Sequence, residues 1–218
     1  MSARAAPRFA AVIFDMDGVL VDSEPLGFEA MRRVMAHQGV SYTEADNNEF
    51  LGRTTLEECR ILRARHRLAA DPRELTREYV DLLVALIRQE PRPMPGVPAV
   101  LAEIVAAGCR MALASSADPV VIAENVRALG LARFFEAIVS GTEVARGKPA
   151  PDVFLETAEQ LRLPTERCLV VEDSRNGLLA AKAAGMACAA IPCASTRHQD
   201  FREADYHLGT LRDLPALL

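Results

Sequence analysis

Five short runs of apolar residues recur along the chain, each bounded by turn residues: Ala11–Phe14, Met111–Ala114, Ala137–Val139, Leu169–Val171 and Ala187–Ile191. Their apolarity is continuous rather than alternating, which predicts strands buried on both faces, as in a parallel sheet covered by helices. Between the later runs the spacing changes to a helical period, over roughly Val97–Ala107, Pro119–Leu129, Pro151–Leu161 and Ser174–Ala184. Pro151 and Ser174 suit helix starts, and Gly185 suits a helix end. Strand and helix in alternation predict an α/β fold built on a parallel sheet.

From about Glu24 to Glu90 the alternation stops and only amphipathic helical patterns remain. Phe28, Met31, Val34 and Met35 share one helical face with Arg32 and Arg33 turned away, and Tyr79, Leu82, Leu83, Leu86 and Ile87 repeat the pattern. Pro91, Pro93, Pro95 and Pro98 with Gly96 then form a cluster that reads as a stiff linker. The expected organisation is a discontinuous α/β core over 9–22 and 94–218, interrupted by an α-helical domain over 23–93.

The length of 218 residues suits one compact domain carrying an insertion. Charge removes one class of partner: 25 Lys and Arg against 30 Asp and Glu leave a net charge of -5, with the basic residues scattered, so nucleic acid is not expected. The apolar runs are too short to span a bilayer, and Met1–Arg8 has no apolar segment of the secretory type, so the expectation is a soluble cytoplasmic protein, monomer or homodimer, with no membrane partner. Five cysteines, Cys59, Cys109, Cys168, Cys188 and Cys193, contain no C-x-x-C pair and read as small core residues of a reduced compartment. His37, His66, His198 and His207 lack zinc-like spacing.

Polar residues gather where the strands end. The first strand runs into Asp15-Met16-Asp17-Gly18, the second into Ser115-Ser116, the fourth into Glu172-Asp173-Ser174, and Gly147-Lys148-Pro149 follows the third. Ligands of open α/β sheets bind at the carboxyl ends of strands, so these segments can meet in one pocket. That pocket would hold Asp15, Asp17, Glu172 and Asp173, and two unit charges about 4 Å apart repel by roughly 4 kcal/mol at an effective dielectric of 20. A cation is required, and oxygen ligands without His or Cys favour Mg2+. Lys148 and the Ser115 hydroxyl beside such a cation describe a phosphoryl site. One carboxylate can attack phosphorus while the other serves as acid and then base.

Each segment alone has a plainer reading. Asp15-x-Asp17-Gly18 suits an ordinary turn; a calcium loop fails because its twelfth position is Leu26. Gly141–Lys148 is no phosphate-binding Walker loop, since five residues separate Gly141 from Gly147 and Pro149 replaces the Ser or Thr. Lys148 by itself reads as a solvated surface residue, Ser115 as a turn or cap, and Glu172-Asp173 as acids favouring a helix start.

Their order along the chain carries more. Phe14-Asp15-Met16-Asp17-Gly18-Val19-Leu20-Val21-Asp22-Ser23-Glu24-Pro25, then Ala114-Ser115-Ser116, then Gly147–Asp152, then Val171-Glu172-Asp173-Ser174 with Gly177 and Ala180–Met186, resemble the haloacid dehalogenase-like superfamily, in particular its β-phosphoglucomutase-like phosphatases. The resemblance spans nearly the whole chain. It implies a Rossmann-like core with an inserted α-helical cap that closes over substrate, and a Mg2+-dependent phosphatase acting on a small sugar or polyol phosphate. It implies Asp15 as nucleophile and Mg2+ ligand, Asp17 as acid and base with its backbone carbonyl on the metal, Ser115, Ser116 and Lys148 on the phosphoryl group, and Asp173 as Mg2+ ligand assisted by Glu172. The presence of Asp17 argues against carbon–halogen and carbon–phosphorus cleavage. A phosphomutase needs a second phosphate site, and the mutases' cap His and Arg correspond here to Gly27 and Thr55, while Asp118-Pro119 stands where they carry Lys-Asn. Arg53, in the segment Phe50–Thr55, is the candidate for a second polar group of the substrate, with a solvent-facing Arg at a helix start as the plainer reading. A binding protein that keeps the fold without turnover is the alternative from another class. Arg146 and Thr196-Arg197-His198 read as surface residues.

Overall fold

The computed structural model describes residues 8–50 and 54–218. The five apolar runs are strands, β1 (Ala11–Phe14), β2 (Arg110–Ser115), β3 (Ala137–Ser140), β4 (Cys168–Glu172) and β5 (Ala187–Ala190), and a two-residue strand, β6 (Tyr206–His207), adds an edge. β6 is too short to carry a readable period. The helices are α1 (Glu24–His37), α2 (Glu44–Phe50), α3 (Thr55–His66), α4 (Pro72–Gln89), α5 (Val97–Ala106), α6 (Pro119–Ala128), α7 (Asp152–Leu161) and α8 (Arg175–Ala183).

All strand pairs are parallel, in the order β3-β2-β1-β4-β5-β6, with Phe14 of β1 beside Leu113 of β2 and Val171 of β4. Ile13, Ala112, Ala114, Val139 and Val170 pack on one face against Val153, Phe154 and Ala158 of α7 and Leu178, Ala180 and Ala181 of α8. The alternate residues Val12, Phe14, Met111, Leu113, Leu169 and Val171 are buried as well. Both faces are covered, which is why the strands read as unbroken apolar runs rather than as alternation.

The chain divides into two compact units: one leaves off at Asp22 and resumes from Pro93 to Leu218, and the other is Ser23–Arg92. Pro93 belongs with the sheet unit through a bridge to Val21, and the Met94 N–H donates to the Leu20 carbonyl at 2.9 Å. Pro98 lies inside the first turn of α5, where a missing N–H costs nothing, so the proline cluster ends by starting a helix. Asp118 caps α6, its side chain accepting from the Val120 N–H at 3.0 Å. Ser174 caps α8 in the same way through the Gly177 N–H at 3.1 Å.

The described residues of the second unit hold four helices, α1 to α4, and the segments beside them, with no strand among them. Met31, Val34 and Met35 of α1 meet Tyr42, Phe50, Cys59, Leu62 and Leu75 in its own core, with Phe28, Tyr79 and Leu82 packed against them. Asp71 and Glu74 form a reciprocal capping box at the start of α4.

Candidate active site

β1 and β4 are neighbours, and the chain winds outward from them in opposite directions, so their carboxyl ends flank the topological switch point. β1 ends in Asp15, whose N–H donates to the Val171 carbonyl at 3.0 Å and extends the ladder by one residue. β4 delivers Glu172 and Asp173, and β2 delivers Ser115. Asp15, Glu172 and Asp173 each present an oxygen within 4.8 Å of the other two, and all three are buried.

Lys148 reaches this group from the loop after β3, across a cis peptide bond to Pro149. Its Nζ donates to Asp15 Oδ1 at 2.6 Å, to Glu172 Oε1 at 2.7 Å and to the Ala114 carbonyl at 3.1 Å, which uses all three ammonium protons. The Phe154 ring lies 4.9 Å from the same nitrogen. Only 6% of the Lys148 side chain is exposed, so the solvated-lysine reading is wrong for this residue. A lone lysine in a loop has no periodicity to reveal burial; the loop path decides it.

Glu172 is fully engaged. Oε1 accepts from Lys148, and Oε2 accepts from the Ser174 N–H at 3.0 Å and the Ser174 hydroxyl at 2.9 Å. The carboxylate thereby ties Lys148 to the first turn of α8. The space it occupies exists because residue 177 is glycine, since a Cβ there would lie 1.7 Å from Glu172 Oε1.

One lysine does not balance three carboxylates. Burial, opposed by Lys148 but reinforced by the Glu172 and Asp17 charges, pushes the Asp15 carboxyl up to about 8. Burial with the charges of Asp15 and Glu172 pushes Asp173 up to about 10. Burial alone would lower Lys148, but the Asp15 and Glu172 carboxylates hold its ammonium above the usual range. A buried group of carboxylates that penalises its own charge in this way, with oxygen as the ligand atom of each member, fits a hard divalent cation.

The other candidates are placed as follows. The half-buried Asp17 carboxylate stands outside the triad, on the turn that Gly18 makes at φ +75°. That turn lies against Asp173: a Cβ on Gly18 would sit 2.2 Å from Asp173 Oδ2. Ser115 is fully buried and its Oγ accepts from the Ala117 N–H at 3.1 Å, so it closes a turn and still has its hydroxyl proton to give. Ser116 is exposed. Arg53 lies outside the described residues. Arg146 is exposed and paired with Asp152 at 2.9 Å, and Arg197 and His198 are exposed. Thr196 is not a surface bystander: its Oγ1 lies 3.2 Å from Asp173 Oδ2, and Cys193 Sγ lies 3.1 Å from the same oxygen. Both follow β5, which neighbours β4, so the strand-end rule applied to the fifth run would have found them.

The sequence model of the haloacid dehalogenase-like hydrolases matches residues 12–191. The chain belongs to this family. It is 34% identical to protein CbbY of Rhodobacter capsulatus, over 92% of this chain and 93% of that one. It is 35% identical to the phosphorylated carbohydrates phosphatase of Thermotoga maritima, over 81% and 82%. The crystal structure of CbbY from Rhodobacter sphaeroides in complex with xylulose-(1,5)bisphosphate shares the fold at a TM-score of 0.86 and 30% identity, covering 94% of this chain and 96% of that one. Within the haloacid dehalogenase-like family, the chain is a phosphatase of the β-phosphoglucomutase-like branch.

Proposed function

We propose that this phosphatase is a Mg2+-dependent phosphomonoesterase that hydrolyses a small sugar or polyol phosphate, carrying the phosphoryl group on Asp15. The observation behind this reading is the buried Lys148 ammonium set between Asp15 and Glu172, at 2.6 and 2.7 Å, beside Asp173 at the switch point of the sheet. Asp15 and Asp173 would hold the cation, with Glu172 assisting and the Asp17 backbone carbonyl completing the protein's share. When bound, Mg2+ supplies positive charge for the phosphate oxygens and lets Asp15 and Asp173 both stay ionised.

The chain's own residues do the rest. An Asp15 carboxylate oxygen attacks phosphorus as the ester P–O bond breaks, and Asp17 gives its proton to the leaving oxygen, which departs as an alcohol. Asp17, now a carboxylate, takes a proton from water as the water oxygen attacks phosphorus; the bond to Asp15 breaks and inorganic phosphate leaves. Lys148 and the Ser115 hydroxyl donate to the phosphoryl oxygens, whose charge is carried through both transfers. Glu172 and the Ala114 carbonyl keep Lys148 in place, so only the proton it gives Asp15 has to turn to a phosphoryl oxygen when substrate arrives.

The substrate class is supported by the relatives, one named for phosphorylated carbohydrates and one crystallised with a sugar bisphosphate. The phosphomutase alternative gains nothing at Gly27, where even a Cβ would lie 3.1 Å from the Tyr79 hydroxyl and a histidine would need that ring to move. The test is phosphate release with Mg2+ across sugar phosphates, polyol phosphates, phosphoglycolate and nucleotides, for the wild type and Asp15→Asn. β-Glucose 1-phosphate is run in parallel with detection of glucose 6-phosphate. Release concentrated on sugar or polyol phosphates and abolished by Asp15→Asn is expected. Equal residual rates in the two proteins, or isomer formed without phosphate release, would overturn the proposal.

A further inference from the structure

Asp173 is gripped by a turn that the chemistry above does not use. Beyond β5 the ladder continues for one residue, as the Ile191 N–H donates to the Glu172 carbonyl at 2.8 Å. The chain then folds back, with the Thr196 and Arg197 N–H groups donating to the Cys193 carbonyl at 3.2 and 3.0 Å. The fold-back brings the Cys193 thiol and the Thr196 hydroxyl onto one oxygen, Asp173 Oδ2, at 3.1 and 3.2 Å.

The surrounding contacts allow both protons to point at that oxygen. Thr196 Oγ1 accepts from the Cys193 N–H at 3.0 Å, and the Ser195 hydroxyl, 3.0 Å from Cys193 Sγ, can donate to the sulfur. Cys193 Sγ and Thr196 Oγ1 also lie 3.3 Å apart, a longer contact than either makes to Asp173, so the thiol proton and the Thr196 proton can both be directed at Asp173. On another side, the Gly18 turn leaves no room for the carboxylate to swing, since a single added carbon would overlap it. Asp173 is therefore held before any ligand arrives.

We infer that Cys193 and Thr196 are positioning residues that hold Asp173 for the divalent cation and so set the affinity of the site for it. This rests on the metal-dependent reading above. A carboxylate already fixed in one orientation loses less freedom on binding. A thiol is a weak donor, so it orients the oxygen while leaving most of its basicity to the metal. Groups that hydrogen-bond a metal-ligating side chain typically account for about 10–100-fold in metal affinity.

The test is calorimetric titration of the full chain with Mg2+ alone, for the wild type, Thr196→Val, Cys193→Ala/Thr196→Val, Cys193→Ser and Asp173→Asn. Circular dichroism and melting in EDTA identify folded variants, and Thr196→Val alone gives the reading if the double variant does not fold. The double variant is expected to bind Mg2+ about tenfold or more weakly, with Thr196→Val intermediate and Cys193→Ser, which keeps a donor, within about threefold of the wild type. Turnover by the double variant should recover at saturating Mg2+, which a merely structural lesion would not do. Unchanged Mg2+ affinity in Thr196→Val and the double variant, with binding lost in Asp173→Asn, overturns this inference alone. Wild-type binding by Asp173→Asn overturns the metal reading and this inference with it.

Discussion

Alanine at Gly177 reverses the usual sign of a helix substitution. Gly177 is the third residue of α8, and replacing a helical glycine with alanine ordinarily stabilises by about 0.5–1 kcal/mol. Here the added Cβ would lie 1.7 Å from Glu172 Oε1, 1.8 Å from its Cδ and 2.2 Å from Oε2. Carbon contacts become attractive only near 3.5–4.0 Å, so the two groups cannot share the site at about half that distance. Glu172 is 1% exposed with both oxygens bonded, and its displacement breaks the contact with Lys148 and both bonds from Ser174. Removing one partner from a buried ion pair costs about 3–5 kcal/mol, and subtracting the helix gain leaves a net loss of about 2–4 kcal/mol. For a chain of this size each kcal/mol shifts Tm by about 2–4 °C, so the melt should fall by roughly 5–15 °C. Melting of Gly177→Ala, Glu172→Ala and the double variant separates the clash from a general effect on the helix. In the Glu172→Ala background the second alanine has no carboxylate to strike and should be neutral or stabilising. Wild-type stability in Gly177→Ala, or an equal cost in both backgrounds, would refute the reasoning.

Lys148→Met should lower turnover by about 10²–10³-fold, because the donor that faces the phosphoryl oxygens is gone, and should destabilise the metal-free protein by about 3–5 kcal/mol; retention of wild-type kcat would sink the assignment. Asp17→Asn should still be phosphorylated by p-nitrophenyl phosphate, whose leaving group needs no proton, and then release phosphate about 10²–10⁴-fold more slowly. A rapid-mixing burst near one equivalent checks this, and its absence with an unchanged steady rate argues against Asp17 as the base. Without metal, the folded protein holds protons on Asp15, near 8, and Asp173, near 10, that unfolded carboxyls release near 3.8. The folded state binds more protons, so metal-free stability should fall as pH rises from about 4 toward 8–10; Mg2+ replaces those protons, and its gain in Tm should be larger at about pH 8 than at about pH 5, with the opposite order refuting this.

Much of the architecture is legible in single residues. Val12 and Ile13 point to opposite faces of β1 and both are buried, and only helices on both sides of a parallel strand make such a run necessary. The helical insertion declares itself through Met31, Val34 and Met35, because a helix core must repeat at helical spacing. Asp15, Glu172 and Asp173 were findable because each follows an apolar run, and parallel strands bring all their carboxyl ends to one edge. Even the order of the motifs is a property of the chain that no folding calculation is needed to see.

Other features exist only after folding. Nothing local distinguishes Lys148 from a surface lysine, yet the path after β3 buries its ammonium between two acids more than twenty residues away on either side. Gly177 looks like a helix defect until Glu172 is seen to fill the space above it. Cys193 and Thr196 read as a core thiol and a surface hydroxyl, and become partners of Asp173 because β5 lies beside β4. Periodicity reports which side of an element faces away from water, a local matter set by the spacing of apolar groups. Which charge meets which carboxylate depends on strand order and loop path, and those emerge only when distant segments pack.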